Sequence, residues 1–243
     1  MTEAHFERLA PRYARLRGDA FADELTDRIA TAYEVAGGAV LDVGCGPGHV
    51  VARLVDRWGA DAVGIDRSPA MVDEARRAFG GRARFECADV ASLPFEDGRF
   101  DTVLARMMVH LVDRDAAFLE LARVLRPGGR LVVTTADPDR IESFWLTRFF
   151  PSFAGVELAR FPTAAALAAE LEGAGFRDID AQTLALPRTY RREEALAKIR
   201  GRAYSTFALI DDDEFAAGLA RAESELPDEV GYDSCVLNVA ATR

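Results

Sequence analysis

Cysteine is scarce in this sequence, and no cysteine pair has the spacing of a metal site. Cys45, Cys87 and Cys235 are odd in number and far apart in 243 residues. They indicate neither a disulfide framework nor a structural zinc site. The three histidines show no carboxylate spacing typical of metal ligands, so we expect no bound metal. A reducing cytoplasm is the expected location.

Long apolar runs and an excess of positive charge are also absent. No run approaches the ~18 apolar residues of a membrane helix, and the first 18 residues are charged throughout, unlike a signal peptide. We therefore expect no membrane segment. Acidic residues outnumber basic ones by 40 to 30. Because nucleic-acid binding depends largely on clustered cations, small-molecule substrates are favoured over RNA or DNA.

The chain instead has a regular alternation of strand-like and helical segments. A hydrophobic content of 49% over 243 residues allows one domain with a sizeable core. Short β-branched runs alternate with helical patterns, which predicts an α/β fold with a parallel, doubly wound sheet. The predicted strands cover residues 39–43, 62–66, 83–87, 100–105 and 130–135.

The rest of the chain predicts coverings for this sheet. An aromatic-rich stretch precedes a helix at 163–173 and a strand near 179–186, and residues 190–227 predict two helices before a closing strand at 234–241. We therefore expect a single domain, 1–243, with four named parts. These are a helical N-terminal cap (1–36), a core (37–137), a covering segment (138–162) and a helical insertion (190–228) that can act as a lid.

The most informative motif is a glycine-rich turn after the first predicted strand. Residues 42–48 read DVGCGPG. Glycines here let backbone amides approach a ligand and permit positive φ angles. Asp66 lies twenty residues beyond Gly46, at the end of the second strand, where a carboxylate can accept both hydrogens of a ribose diol. The turn and Asp66 therefore predict a nucleoside-binding site in the core, 37–137.

Two details separate this turn from a dinucleotide site. Dinucleotide enzymes use G-x-G-x-x-G, whereas the spacing here is G-x-G-x-G. Asp42 would oppose a pyrophosphate but could help hold a cationic ammonium. S-adenosylmethionine carries an ammonium and a sulfonium, so it is favoured over NAD, although Asp66 fits either cofactor.

Four blocks of sequence resemble the class I S-adenosylmethionine-dependent methyltransferases. The pattern is most similar to the small-molecule subgroup that includes the ubiquinone and menaquinone biosynthesis methyltransferases. The blocks are residues 40–49, 64–71, 88–95 with 100–101, and 121–133, which contains RPGG. The resemblance implies a Rossmann-like sheet of seven strands whose last strand is antiparallel, a role that suits residues 234–241.

The resemblance also implies which residues hold the methionine and ribose parts of the cofactor. Gly44, Cys45 and Gly46 would line the methionine moiety, Asp66 would hold the ribose, and the Arg106 carbonyl would meet the ammonium. Cys45 could instead be considered a nucleophile, but it has no evident base, and methyl transfer needs no covalent enzyme intermediate.

The adenine end is assigned on the same resemblance. Arg67 and Met71 would flank the adenine, and Asp89 with the Val90 amide would bind its edge. Tyr13 is similar to an aromatic residue that the N-terminal helix of this subgroup places near the methionine end. Ordinary packing is the alternative for Tyr13.

The acceptor side has three candidate residues before the insertion. His110 follows the fourth strand, and its pKa near ~6.5 would suit a base that removes a substrate proton. Packing is the alternative. Phe144 and Trp145 belong to the aromatic stretch and could wall an apolar substrate pocket or simply anchor the covering segment.

The insertion contributes cations to an otherwise acidic chain. Arg200, Arg202 and Tyr204 could bind a substrate carboxylate or phosphate. The alternative is salt bridging to acidic residues at 193–194 or 211–213.

Together these features predict transfer of the methyl group of S-adenosylmethionine to an O, N or C nucleophile of a small molecule, giving S-adenosylhomocysteine. Catalysis would come mainly from alignment in a water-poor pocket. The alternatives left open are a carrier-protein-bound, RNA or protein substrate, and a cofactor-binding protein with non-methylating chemistry.

Overall fold

The computed structural model describes residues 19–243. Within them the strands form one seven-stranded sheet in the order β3-β2-β1-β4-β5-β7-β6. Strands β1 to β5 pair in parallel, and β7 runs antiparallel to both β5 and β6. The predicted α/β architecture is therefore confirmed. The strands are β1 Ala39–Val43, β2 Asp61–Asp66, β3 Arg84–Cys87, β4 Phe100–Arg106, β5 Leu125–Ala136, β6 Arg177–Arg191 and β7 Glu229–Thr242.

Helices cover both faces of this sheet. The α-helices of the described residues are α1 Asp19–Ala32, α2 His49–Trp58, α3 Pro69–Phe79, α4 Arg114–Val124, α5 Phe153–Leu158, α6 Ala164–Gly173, α7 Arg192–Arg200 and α8 Asp212–Glu225, and five of them lie on the faces of the sheet. Apolar side chains of α1, α2 and α3 pack on one face, and those of α4 and α6 pack on the other. Among the described helices, none has the length and apolar character needed to cross a bilayer.

Local capping explains why several helices begin where the sequence predicts. Ser68 accepts a hydrogen bond from the Met71 amide at 3.3 Å, and Pro69 occupies the first position of α3. Asp113 and Thr163 cap α4 and α6 in the same way. A side-chain acceptor satisfies amides that have no partner within the helix, so these boundaries are encoded locally.

The last two strands are longer than predicted. Strand β6 runs past the predicted end to Arg191, so Tyr190 is in a strand rather than a helix, and the helical insertion begins at Arg192. Pro187 interrupts the sequence pattern, but β6 is the last strand in the sheet order, where a missing N–H is tolerated. The expected boundary at 190 is thus corrected to 192.

This extra length carries the insertion beyond the sheet. Strand β5 ends its pairing with β7 at Ala136, opposite Val236. Residues 185–191 of β6 and 229–235 of β7 continue to pair with each other past that point. The resulting ribbon projects beyond the carboxyl end of β5 and bears α7 and α8.

The covering segment packs directly on this insertion. Phe150 and Phe153 from the covering segment are fully buried with Phe207 from the insertion. A Cβ at Gly218 of α8 would lie 2.4 Å from the Phe150 ring, so the helix approaches that ring closely. Burial of each phenylalanine contributes about 1.5–3 kcal/mol. Because these side chains share one core cluster, the two segments form one packed unit.

Candidate functional site

The carboxyl ends of β1 and β2 hold the glycine-rich turn against Asp66. The Cys45 amide donates to the Ile65 carbonyl at 2.8 Å, and the Gly46 amide donates to Asp66 Oδ2 at 2.9 Å. Asp66 Oδ1 accepts from the Ser68 amide at 2.9 Å, which ties it to the start of α3. Ligands of open parallel sheets bind at this edge, so the motif is assembled where a nucleoside site belongs.

The turn leaves an open approach at its centre. Gly44, Gly46 and Gly48 all have positive φ, at 71°, 53° and 86°. A Cβ at Gly48 would lie 2.7 Å from the Phe85 ring, so that glycine is required by packing. A Cβ at Gly46 would meet nothing within 4 Å. The peptide at Gly46 therefore borders free space that a ligand can enter.

Asp42 is a buried carboxyl at the end of β1. It is 2% exposed, and burial raises its pKa to about 7, while the Arg106 guanidinium opposes this rise and Asp66 adds to it. Arg106 Nη1 also donates to the Thr26 hydroxyl of α1 at 2.8 Å. A cation from β4 thus joins α1 to the acidic end of β1.

We expect Asp42→Asn to change how stability depends on pH. Because the folded-state pKa, about 7, is above the ordinary value near 3.9, Asp42 stabilises the fold at low pH. That stability is lost as pH rises from about 4 to about 7. Between pH 5 and 8 the free energy of unfolding of the natural protein should fall by about 3 kcal/mol relative to that of the variant. Urea unfolding without ligand measures this difference. Parallel pH curves for the two proteins would contradict the burial argument.

The predicted adenine-side residues lie next to Asp66. The Ala88 amide donates to the Asp66 carbonyl at 3.2 Å, which places Asp89 beside the end of β2. Asp89 is exposed and accepts from the Ala91 amide at 2.9 Å, whereas Val90 is buried.

Arg67 and Met71 follow Asp66 along the chain, and the Arg67 carbonyl accepts from the Cys87 thiol at 3.6 Å. Arg67 is exposed directly after Asp66, and Met71 is buried in the first turn of α3. The structure therefore groups the adenine-side set around Asp66. Tyr13 lies outside the described residues.

Cys45 is unsuited to nucleophilic attack in this structure. Burial raises the pKa of its thiol well above the ordinary value, and the nearby carboxylates of Asp42 and Asp66 raise it further. A protonated thiol is a poor nucleophile. A Cβ at Gly64 would lie 2.8 Å from the Cys45 sulfur, so the Cys45 side chain fills the space beside Gly64 and is held by packing.

His110 lies in the short 3₁₀ turn Val109–Leu111 that follows β4. Its ring centroid is 4.2 Å from that of Phe161, and the planes are tilted by 39°. His110 is half-buried at the carboxyl side of the sheet. This contact fits the packing alternative and leaves the proposed proton transfer as a prediction.

The structure brings Phe144 and Trp145 together with tyrosines of the insertion and the ribbon. The Phe144 ring lies 5.5 Å from Tyr204 and 5.4 Å from Tyr232, between centroids. The Trp145 ring lies 6.4 Å from both Tyr190 and Tyr232. Sequence reasoning missed Tyr190 and Tyr232, because only the extended ribbon carries them to this cluster.

Arg200 and Arg202 are engaged in ion pairs within the insertion. Arg200 Nη2 lies 2.7 Å from Glu223 Oε1, and Arg202 Nη2 lies 2.7 Å from Asp212 Oδ1. The Arg202 guanidinium also lies over the Phe215 ring at 3.9 Å. The Arg202 pair matches the salt-bridging alternative, whereas Arg200 pairs with Glu223 of α8, which lies outside the predicted acidic residues. Neither contact supports a role in substrate binding.

Comparison with known proteins agrees with this geometry. Residues 40–129 match the model of a methyltransferase domain. The chain is 36% identical to the demethylmenaquinone methyltransferase of Thermus thermophilus over 199 residues, which cover 70% of this chain and 90% of that relative. For two other curated relatives, the O-methyltransferase cnsE of Penicillium expansum and the methyltransferase GfsG of Streptomyces halstedii, the match spans 45% and 43% of their length.

Solved structures share the fold. The cyclase SpnF is 26% identical with a TM-score of 0.60, over 91% of this chain and 80% of its own. The geranyl diphosphate C-methyltransferase of Streptomyces coelicolor, solved with S-adenosylhomocysteine, is 16% identical with a TM-score of 0.56, over 90% of this chain and 75% of its own.

Sheet order and site geometry define a Rossmann-like protein whose glycine-rich turn meets Asp66 at the carboxyl edge of the sheet. More particularly, the chain belongs to the class I S-adenosylmethionine-dependent methyltransferases. S-adenosylmethionine is therefore its cofactor.

Proposed function

We propose that this protein transfers the methyl group of S-adenosylmethionine to an O, N or C nucleophile of a small-molecule acceptor. The observation that carries the proposal is the pair of carboxylates, Asp42 and Asp66, at the ends of neighbouring strands beside the open peptide of Gly46. One carboxylate suits an ammonium and the other a ribose diol. A pyrophosphate has no complement in this arrangement.

The residues around the turn would hold the cofactor. In this proposal Asp42 attracts the ammonium, together with the Arg106 carbonyl, while Asp66 binds the ribose and residues 44–46 line the methionine moiety. Arg67, Met71, Asp89 and Val90 contact the adenine. Tyr13 contacts the methionine end. When bound, S-adenosylmethionine supplies a methyl group already activated by the sulfonium, and S-adenosylhomocysteine is released.

The protein's own contribution is alignment and exclusion of water. The covering segment and the insertion form one packed unit above the carboxyl side of the sheet. Phe144, Trp145 and Tyr204 would wall the acceptor pocket there. Holding the two reactants in the correct geometry removes a large part of the activation barrier to displacement. Excluding water from the pocket strengthens the electrostatic contacts within it.

His110 is the proposed general base for acceptors that ionise poorly. We expect His110→Gln to lower kcat about a hundredfold with little change in KM, because general-base catalysis contributes roughly 10²–10⁴-fold. The acidic limb of the pH–rate profile should also disappear. Phe161→Leu is the matched control, since it removes the ring contact but keeps the imidazole. Equal losses in the two variants would assign His110 to packing.

Turnover tests the proposed function directly. Protein with methyl-labelled S-adenosylmethionine is incubated separately with a small-molecule extract, RNA and protein, and label transfer is followed. We expect label in small molecules only. Label in RNA or protein would favour those substrates instead. S-adenosylhomocysteine binding without any transfer would favour non-methylating chemistry, which is relevant because SpnF is a cyclase.

We also propose a cytoplasmic location. Cys45, Cys87 and Cys235 are free thiols in the structure, which suits a reducing compartment. Fractionation of cells that produce the protein checks this.

A further inference from the structure

Arg106 places its charged side chain on the same face of the sheet as Asp42. In the parallel pairing of β1 with β4, Asp42 lies opposite Leu104, and side chains two residues apart in a strand point to the same face. Leu104 packs in the core cluster that includes α1, so Asp42 and Arg106 share that face. The Thr26 hydroxyl of α1 accepts from Arg106 Nη1 at 2.8 Å, in agreement with this direction. The Arg106 side chain therefore reaches α1 from the strand next to Asp42.

Arg106 carries the charge that favours ionisation of Asp42. Burial raises the pKa of Asp42 and the Asp66 carboxylate raises it further, whereas the Arg106 guanidinium lowers it. Cys45 is a further titratable side chain at this edge, and burial together with the two carboxylates raises the pKa of its thiol, which stays uncharged. The described acidic side chains of α1 form ion pairs with other cations: Asp23 and Asp27 with Arg53, and Glu24 with Arg188. Loss of the Arg106 charge would leave burial and Asp66, which both favour the neutral form of Asp42.

The backbone of Arg106 is also fixed. Met107 follows it with a φ of 51°, a conformation that residues with a side chain rarely adopt. The Met107 amide donates to the Thr134 carbonyl of β5 at 2.7 Å. Strained backbone persists only where the surrounding structure holds it, and it clusters at ligand sites. The Arg106 carbonyl, which we expect to meet the cofactor, is thus held at the end of β4.

We propose that the Arg106 side chain is a positioning residue that keeps the Asp42 carboxylate ionised for the ammonium of S-adenosylmethionine. The guanidinium acts through Asp42, and Thr26 holds the guanidinium in place. A carboxyl buried without a nearby cation favours its neutral form, which attracts an ammonium only weakly. This inference rests on the proposed function and adds a regulation of the same site, because it makes cofactor affinity depend on pH.

The direction of this pH dependence follows from the charges. Below its folded-state pKa of about 7, Asp42 carries a proton and no charge. Binding of the ammonium must then displace that proton, which costs about a factor of ten in affinity for each pH unit below the midpoint. Affinity is therefore lost as the pH falls, and the Arg106 charge sets the pH at which the loss begins.

Calorimetric titration of S-adenosylhomocysteine from pH 5 to 8.5 tests the inference. The natural protein should keep its affinity down to about pH 7 and lose it below. Arg106→Met should move this midpoint up by about one pH unit or more, because a nearby opposite charge lowers the pKa of a carboxyl by about 1–3 units. At pH 6 the variant should then bind S-adenosylhomocysteine about tenfold more weakly than the natural protein.

Two further variants separate charge from anchoring of α1. Arg106→Lys keeps a cation and should keep the midpoint close to that of the natural protein. Arg188→Met is the matched control, because Arg188 also ties the sheet to α1, through Glu24 at 3.2 Å, but does not act on the pKa of Asp42. It should leave the midpoint near pH 7.

Arg106→Met is expected to fold. Asp42 can take up a proton in this variant, so no unpaired charge is left in the core. The Thr26 hydroxyl can bond to a backbone carbonyl of its own helix. Urea unfolding without ligand checks the fold and gives a second measure of Asp42. The stability that Asp42 contributes is lost between about pH 4 and 7 in the natural protein, and this loss should continue to about pH 8 in the variant.

The outcomes separate the two proposals. The same midpoint in Arg106→Met as in the natural protein, or an equal shift in Arg188→Met, would overturn the role of Arg106, while S-adenosylhomocysteine binding would still support the proposed function. A natural protein that binds no S-adenosylhomocysteine at any pH would overturn the proposed function. A shifted unfolding profile in Arg106→Met would in that case still support the action of Arg106 on Asp42, and an unshifted one would overturn it as well.

Discussion

Replacing Asp66 with alanine should weaken S-adenosylhomocysteine binding by about a hundredfold or more. Two hydrogen bonds from a ribose diol to a carboxylate are worth about 1.5–3 kcal/mol each, and every ~1.4 kcal/mol is tenfold in affinity. The loss is compounded because Asp66 also accepts from the Gly46 and Ser68 amides, so the variant releases the turn from the end of β2. Isothermal titration calorimetry measures the change.

Asp61→Ala is the matched control for that experiment. Asp61 begins the same strand at its opposite end, is exposed, and pairs with Arg84. Exposed ion pairs contribute about 0–1 kcal/mol, so this variant should bind S-adenosylhomocysteine as the natural protein does. Unchanged affinity in Asp66→Ala would refute the ribose assignment.

Gly46→Ala should reduce S-adenosylhomocysteine affinity about tenfold to a hundredfold. The new Cβ meets no protein atom within 4 Å, so it projects into the space from which we expect the methionine moiety to approach. Filling a well-matched space by one methyl group costs about 1–3 kcal/mol, which sets this range. The measurement is again calorimetric titration.

Gly59→Ala separates the loss of binding from backbone strain. Gly59 has a φ of 63°, close to the 53° of Gly46, and its Cβ position is also open. A non-glycine residue in this region costs about 1–2 kcal/mol, so both variants should lose similar stability. A similar loss of affinity in both would mean that strain, rather than a blocked approach, explains the effect.

Features encoded by neighbouring residues could be predicted from the sequence. Strand β1 and the start of α3 follow from a β-branched run and from the Ser68 cap beside Pro69. The arrangement of the candidate site could be predicted for a similar reason, since Asp42 and Asp66 lie at the carboxyl ends of two adjacent parallel strands and the turn follows the first of them. Their carboxyl ends must meet at one edge of the sheet.

Features that depend on distant pairing could not be predicted. The extension of β6 through Pro187 and Tyr190 depends on seven further residues of β7 opposite it, which no local pattern shows. The roles of cations in the insertion depend on which carboxylates fold against them. Arg200 and Arg202 meet Glu223 and Asp212 of α8, and Lys198 meets Glu194 of its own helix while its ammonium lies over the Tyr190 ring.

Cofactor choice is the central claim, and one comparison tests it most directly. S-adenosylhomocysteine and NADH are titrated separately into the full-length protein by calorimetry at pH 8, where Asp42, with a pKa of about 7, is mostly ionised. The account predicts saturable binding of S-adenosylhomocysteine and no binding of NADH. Binding of NADH without binding of S-adenosylhomocysteine would contradict it.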